Sequence, residues 1–194
     1  SAELKDDREI VMLAVKQSGL MLKYASAELQ GDQEIVMLAV NDNGLMLEHA
    51  SAELQGDREI VMAAVNNNGK ALKHASVNLR RDKVVVLAAV RNNGMALMFA
   101  SEELQRDKVV VMAAVKENGL ALQYASAELK GDREIVAEAV KEADNSVLQF
   151  ASERLRKKRG GMRKTKNKRR KQKRKTKRSK RRNNKSNKRK TTRR

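Results

Sequence analysis

The chain has 194 residues, enough for one domain or one array of repeats, and its 43 Lys and Arg against 24 Asp and Glu give a formal charge of +19. That charge is segregated: residues 158–194 hold 23 of the basic residues and no acid, leaving 20 basic against 24 acidic residues over 1–157, a body of charge −4. The absence of Cys excludes a disulfide framework, a thiolate nucleophile and Cys-ligated zinc, and no apolar run reaches the roughly 18 residues of a membrane span or forms a signal-peptide core.

Along the chain, Ala-Val recurs every 25 residues at Ala14-Val15, Ala39-Val40, Ala64-Val65, Ala89-Val90, Ala114-Val115 and Ala139-Val140. The same period holds for Asp7, Asp32, Asp57, Asp82, Asp107 and Asp132, for Gly19, Gly44, Gly69, Gly94 and Gly119, and for Ser26, Ser51, Ser76, Ser101 and Ser126. Ser1-Ala2-Glu3-Leu4 matches Ser26-Ala27-Glu28-Leu29, so the chain is expected to begin partway through a repeat of a longer protein. The second copy illustrates the elements. Asp32 is a favourable N-cap, Glu34 sets negative charge against the first-turn dipole, and Gly44 after Asn43 suits a left-handed C-cap, which predicts a first helix over about 33–43. In the fourth and fifth copies Val84 and Val109 replace that Glu. Leu47, Ala50 and Leu54 then fall at i, i+3, i+7, one apolar stripe of a second helix. Ser51 before Ala52-Glu53-Leu54 is also placed to cap a separate short turn, which would break that helix at its Ala-Ser. The sixth copy replaces Asn-Gly with Ala143-Asp144-Asn145 and carries one extra residue, and after Leu155 the array ends, with Lys158 at the phase of the next Asp.

Ile35-Val36-Met37-Leu38-Ala39-Val40 is apolar on almost every side, so the first helix needs cover on more than one face, which stacked neighbours supply. The expected fold is therefore all-α: a right-handed α-solenoid of about six two-helix repeats over 1–157, followed by a disordered basic tail over 158–194. A strand-helix solenoid, with Val84–Val90 as a buried parallel strand, is the rival architecture; paired Ala and the Asp and Asn-Gly punctuation favour helices.

The string Leu-x-Tyr-Ala-Ser-x-Glu-Leu followed by Asp-Arg-Glu-Ile-Val-x-x-Ala-Val-Lys-x-Asn-Gly resembles the short α-helical repeats of the domain of unknown function 4116 family over residues 1–157. The resemblance implies tandem repeats of a kind found in large DNA viruses, algae and other protists, and no catalytic residues. The stretch from Arg159 to Thr165 resembles basic C-terminal tails of algal large-DNA-virus proteins, and the family resemblance adds a virion structural component to the functions to be weighed.

Repetition supplies an internal control on chemistry, because a catalytic residue is needed once and a structural one in every copy. His49-Ala50-Ser51 and His74-Ala75-Ser76 suggest a base and a nucleophile, yet Tyr24, Phe99, Tyr124 and Phe150 occupy the same phase before the same Ala-Ser. A metal shared by the two His is disfavoured, since ligands lie about 2 Å from one ion and stacked helices about 8–10 Å apart. Asp57 and Glu59 resemble an acid-base pair, but Asp7/Glu9, Asp32/Glu34 and Asp132/Glu134 repeat it at each helix start, as capping does. Met12, Met21, Met37, Met46, Met62, Met95, Met98 and Met112 read as adaptable core rather than a binding groove. No phosphate loop or nucleophile elbow is present, so no enzyme activity, cofactor or small-molecule substrate is expected.

The tail has almost no apolar surface to bury and repels itself, so in isolation it is expected to be disordered. Its candidate nucleic-acid-binding residues are Arg163, Lys164, Lys166, Lys168, Arg169, Arg170, Lys171, Lys173, Arg174, Lys175, Lys177, Arg178, Lys180, Arg181 and Arg182. Such a density of cations displaces counterions from phosphates, whereas the lack of Phe, Tyr and Trp removes base stacking and predicts indifference to sequence. The alternatives are a nuclear or nucleolar targeting signal alone, which would direct the protein to those compartments, and a patch for anionic membranes. The expected function is an adaptor: repeats for an unknown protein partner, and a tail for DNA or RNA.

Overall fold

A computed structural model describes residues 2–153 and 155. The chain divides into two units, Ser1–Ser152 and Glu153–Arg194, and the described residues fall almost wholly in the first. They are helical, without strands. The α-helices are α1 (Ala2–Asp6), α2 (Arg8–Gln17), α3 (Gln33–Asp42), α4 (Arg58–Asn67), α5 (Lys83–Asn92), α6 (Glu102–Gln105), α7 (Lys108–Glu117) and α8 (Arg133–Ala143). Residues Val84–Val90, the rival strand, lie in α5.

Each long α-helix begins where a short-range hydrogen bond starts it. Asp32 Oδ1 accepts from the backbone N–H groups of Glu34 and Ile35 at 3.0 and 3.1 Å, and Asp7, Asp57, Asp82, Asp107 and Asp132 do the same in their copies. Ten residues later α3 stops at Asn43, whose backbone turns extended and whose Oδ1 accepts from Leu45 N–H.

The second segment departs from the expected α-helix. Gly44–His49 and its equivalents are 3-10 helices of six residues, and Leu54–Gly56 is another of three. Three residues per turn puts Leu47 and Ala50 on one line, so the apolar spacing that suggested an α-helix is met by a tighter coil. The chain then breaks at the Ala-Ser step, and Ser51 Oγ accepts from Leu54 N–H at 3.4 Å.

The glycine is also corrected. None of the described glycines has positive φ, so Gly44 is no left-handed cap. It begins the 3-10 helix against the next repeat: a Cβ there would lie 2.2 Å from Ala64 O. A Cβ added at Gly19, Gly69, Gly94 or Gly119 would likewise lie 2.3–2.7 Å from the corresponding Ala carbonyl.

Consecutive α-helices pack side by side from α2 to α8, skipping the short α6, and the six-residue 3-10 helices pack in a second row, the first five also against the α-helix of the next copy. Between the rows lies a core without a buried polar or charged residue among those described, to which α3 gives Ile35, Val36, Ala39 and Val40 and the 3-10 helix gives Leu47. Two backbone-linked seams join the copies. Ser26, Ser51, Ser76, Ser101, Ser126 and Ser152 donate their N–H to the carbonyls of Lys5, Gln30, Gln55, Arg80, Gln105 and Lys130 at 2.8–3.0 Å. Gly44 N–H donates to Asn67 Oδ1, while Asn67 Nδ2 donates back to Asn41 O, both at 2.8 Å.

Candidate functional site

The N-terminal edge of the α row carries ion pairs from copy to copy. Arg8 reaches Asp32 and Glu34, each at 2.7 Å. Arg58 reaches Asp82 at 3.1 Å, Lys83 reaches Asp107 at 2.6 Å, and Lys108 reaches Asp132 and Glu134 at 3.0 and 2.9 Å. The capping Asp thus divides its oxygens: in Asp32, Oδ1 holds the helix start and Oδ2 accepts from Arg8 Nε. Gln33 occupies the phase of the cation in the second copy, and Asp57 has no such bridge among the described residues. The Arg8, Lys83 and Lys108 side chains hold Asp32, Asp107 and Asp132 below the ordinary carboxylate range. Burial pushes Asp82 upward, but the Val85 N–H, Arg58 and the Val84 N–H together bring it below that range. These carboxylates are occupied as caps and bridges, and the Asp-Glu pairing belongs to helix starts.

The ring position lies at the end of each six-residue 3-10 helix, on the rim. Tyr24 is exposed, with Lys23 Nζ 4.6 Å from its ring centroid, and the rest are half-buried. Beside His74, Ser76 Oγ accepts from Leu79 N–H, the same capping bond that Ser126 makes beside Tyr124. Glu48 stands 3.9 Å from His74 Nε2, and burial of the imidazole lowers its pKa, opposed by Glu48. Among the described residues no three metal-ligating side chains gather.

His49→Phe with His74→Phe is expected to preserve the fold, because Phe99 and Phe150 serve at that phase. Folded His74 binds protons less readily than unfolded His74, so wild-type stability is full above the ordinary imidazole pKa of about 6.5 and declines as pH falls below it. Melting curves at about pH 7.5 and 5.5, on either side of that value, should show a smaller decline for the double variant. A melting temperature that collapses at both pH values would mean that His makes a contact Phe cannot.

A family model, domain of unknown function (DUF4116), matches residues 1–30, 32–80, 57–105, 82–130 and 107–156. The chain belongs to the DUF4116 family. Four of the five DUF4116 matches start on a capping Asp, at 32, 57, 82 and 107, and run across two copies. Each therefore encloses one complete contact between neighbouring copies. Comparison of this DUF4116 chain with curated proteins and with solved structures yields no match.

The fifteen tail residues from Arg163 to Arg182 named above lie outside the described residues, as does Met162. Within the DUF4116 array, the methionines are largely not core. Met46 is buried, but Met12, Met37, Met62 and Met112 form a half-buried stripe on the outer face of the α row and Met98 is exposed, because the innermost positions of each helix are taken by Ile or Val, Val, Ala and Val. No described helix is long and apolar enough to cross a membrane.

Proposed function

We propose that this protein is a non-enzymatic adaptor, in which the repeat array over 1–157 presents a surface to a protein partner and the tail over 158–194 holds nucleic acid without reading its sequence. The observation that carries it is the charge segregation, 23 cations and no acid in the last 37 residues beside a mildly acidic body. A repeat array whose carboxylates serve caps and bridges, and whose core holds no buried polar or charged residue among those described, supports the non-enzymatic half. Phosphate neutralisation releases counterions, so log affinity for duplex DNA should fall linearly with log salt at about −0.9 per phosphate contacted, giving a slope magnitude of roughly 6–12 when part of the tail engages.

Titration of labelled duplex and single-stranded oligonucleotides against increasing salt measures this. Changing Arg169, Arg170, Lys171, Lys173, Arg174 and Lys175 to Gln should flatten the slope by several units on the same rule, with the helical spectrum unchanged. Equal slopes for the two proteins would remove the tail from the account. Absence of binding near physiological salt would leave nuclear or nucleolar targeting as the tail's role.

A further inference from the structure

The copies differ most usefully on the outer face of the α row. At the second helical position α2, α3, α4 and α8 carry Glu9, Glu34, Glu59 and Glu134, whereas α5 and α7 carry Val84 and Val109. Both valines are more than half exposed, at 56% and 58%. Each forfeits the favourable interaction of a carboxylate with the helix N-terminus and leaves apolar surface in water, so neither helix stability nor core packing accounts for it. Two turns further on, where α3 and α4 have Asn41 and Asn66, these helices have Arg91 and Lys116, as α2 and α8 have Lys16 and Lys141, so it is the valines beside the cations that set α5 and α7 apart. Neither cation has an ion-pair partner among the described residues. A shallow groove of about 640 Å³, lined by Arg91, Val109, Met112 and Lys116 among others, runs along this face. The groove at α2 and α3 is lined by Arg8, Asp32 and Glu34, which neutralise one another, as Lys108 and Glu134 do in the larger groove, where Arg91 and Lys116 are left without such a bridge among the described residues.

We propose that the α5–α7 face docks an acidic amphipathic segment of a partner protein, with apolar side chains over Val84, Val109 and Met112 and carboxylates opposite Arg91 and Lys116. At 1.5 Å per residue, the valine and cation positions of one helix lie roughly 10 Å apart along its axis, so a partner helix lying alongside would present an apolar residue and an acid about two turns apart. Charge complementarity selects an acidic partner. A nucleic-acid backbone fits less well, since its phosphates would leave the valines uncovered. The proposal rests on the array being a protein-binding surface and names the chemistry of what it binds.

The test uses the full chain and two synthetic helical peptides of equal negative charge, one with Leu along one face and Glu beside it, the other with every Leu changed to Ser. The tail attracts both alike, so the difference between them reports on an apolar face. Wild type should bind the Leu peptide about tenfold more tightly or better, as expected when a few apolar side chains are buried. Val84→Glu with Val109→Glu should abolish that preference. Arg91→Asn with Lys116→Asn should weaken the Leu peptide several-fold and retain the preference. Sister copies carry these replacement residues at the same phases, and circular dichroism checks the fold. A preference that survives Val84→Glu with Val109→Glu overturns this site while leaving the array a protein-binding surface; no preference in wild type overturns the proposal and withdraws that support from the array. A duplex oligonucleotide that loses affinity about as much as the Leu peptide in the valine variant would assign the face to nucleic acid and also overturn it.

Discussion

Val65→Asp should destabilise the array by about 2–5 kcal/mol, the range for an unpaired charge forced into a core. Val65 is fully buried in α4, which packs against α3 on one side and α5 on the other. The core offers no buried polar partner among the described residues, so the carboxylate must be protonated or drag its helix open. Stability in a repeat array is a sum over neighbouring contacts, and opening α4 removes two of them at once. Thermal melting should show a large drop, and hydrogen exchange should place the loss of protection in α3 to α5 first. Asn66→Asp, one residue along and exposed, should be close to neutral. If the two substitutions have equal effects, α4 is not covered on both sides.

Gly69→Ala should be nearly as harmful, although it adds one methyl group. Its Cβ would lie 2.3 Å from Ala89 O and 3.1 Å from Asn93 N, both backbone atoms of the next copy, so neither can move aside by changing rotamer. The Gly69 N–H also donates to Asn92 Oδ1 at 2.7 Å, and widening the gap loses that bond. Overpacking against side chains costs about 1–3 kcal/mol, and with backbone on the far side the upper end applies. Gly56→Ala is the control. Its nearest neighbours are Ser76 Cβ and Oγ at 3.9 Å and its φ is not positive, so there the loss of unfolded-state freedom should stabilise by about 0.4–1 kcal/mol. Denaturant midpoints of the two variants should move in opposite directions. A harmless Gly69→Ala would mean that the seam between copies is looser than described.

The contrast between these glycines marks the limit of reading the chain by itself. Both stand in punctuation-like surroundings, and the sequence suggests a left-handed cap for the Asn-Gly position, which the backbone does not adopt. The first helix, expected over about 33–43, runs Gln33–Asp42, because Asp32 and the residues it caps are two and three positions apart and the signal is contained in one turn. The ion pairs went unread for the opposite reason. Arg8 and Asp32 are 24 residues apart, and a cation at the first helical position is unremarkable until the next copy's carboxylate is placed beside it. Asn67 was equally silent, though it ties two copies together through both ends of its amide. The fifteen tail cations were legible as a composition, and their role stays with the salt titration.

Sequence alone determined the 25-residue period, the all-helical stacked repeats, the Asp caps, membership of the repeat family and the separation of charge, because each depends on residue spacing, on bonds within one turn or on composition. Tertiary structure decided that the second segment coils as 3-10, that five glycines are required by a carbonyl of the following copy, and that Met12, Met37, Met62 and Met112 lie on the outer face. It also decided that Arg91, Val109 and Lys116 line one groove. The physical reason is common to all of these: each is a contact or a boundary formed with neighbouring copies, and a pattern repeated within the chain does not state which sides of the unit meet until the copies are stacked.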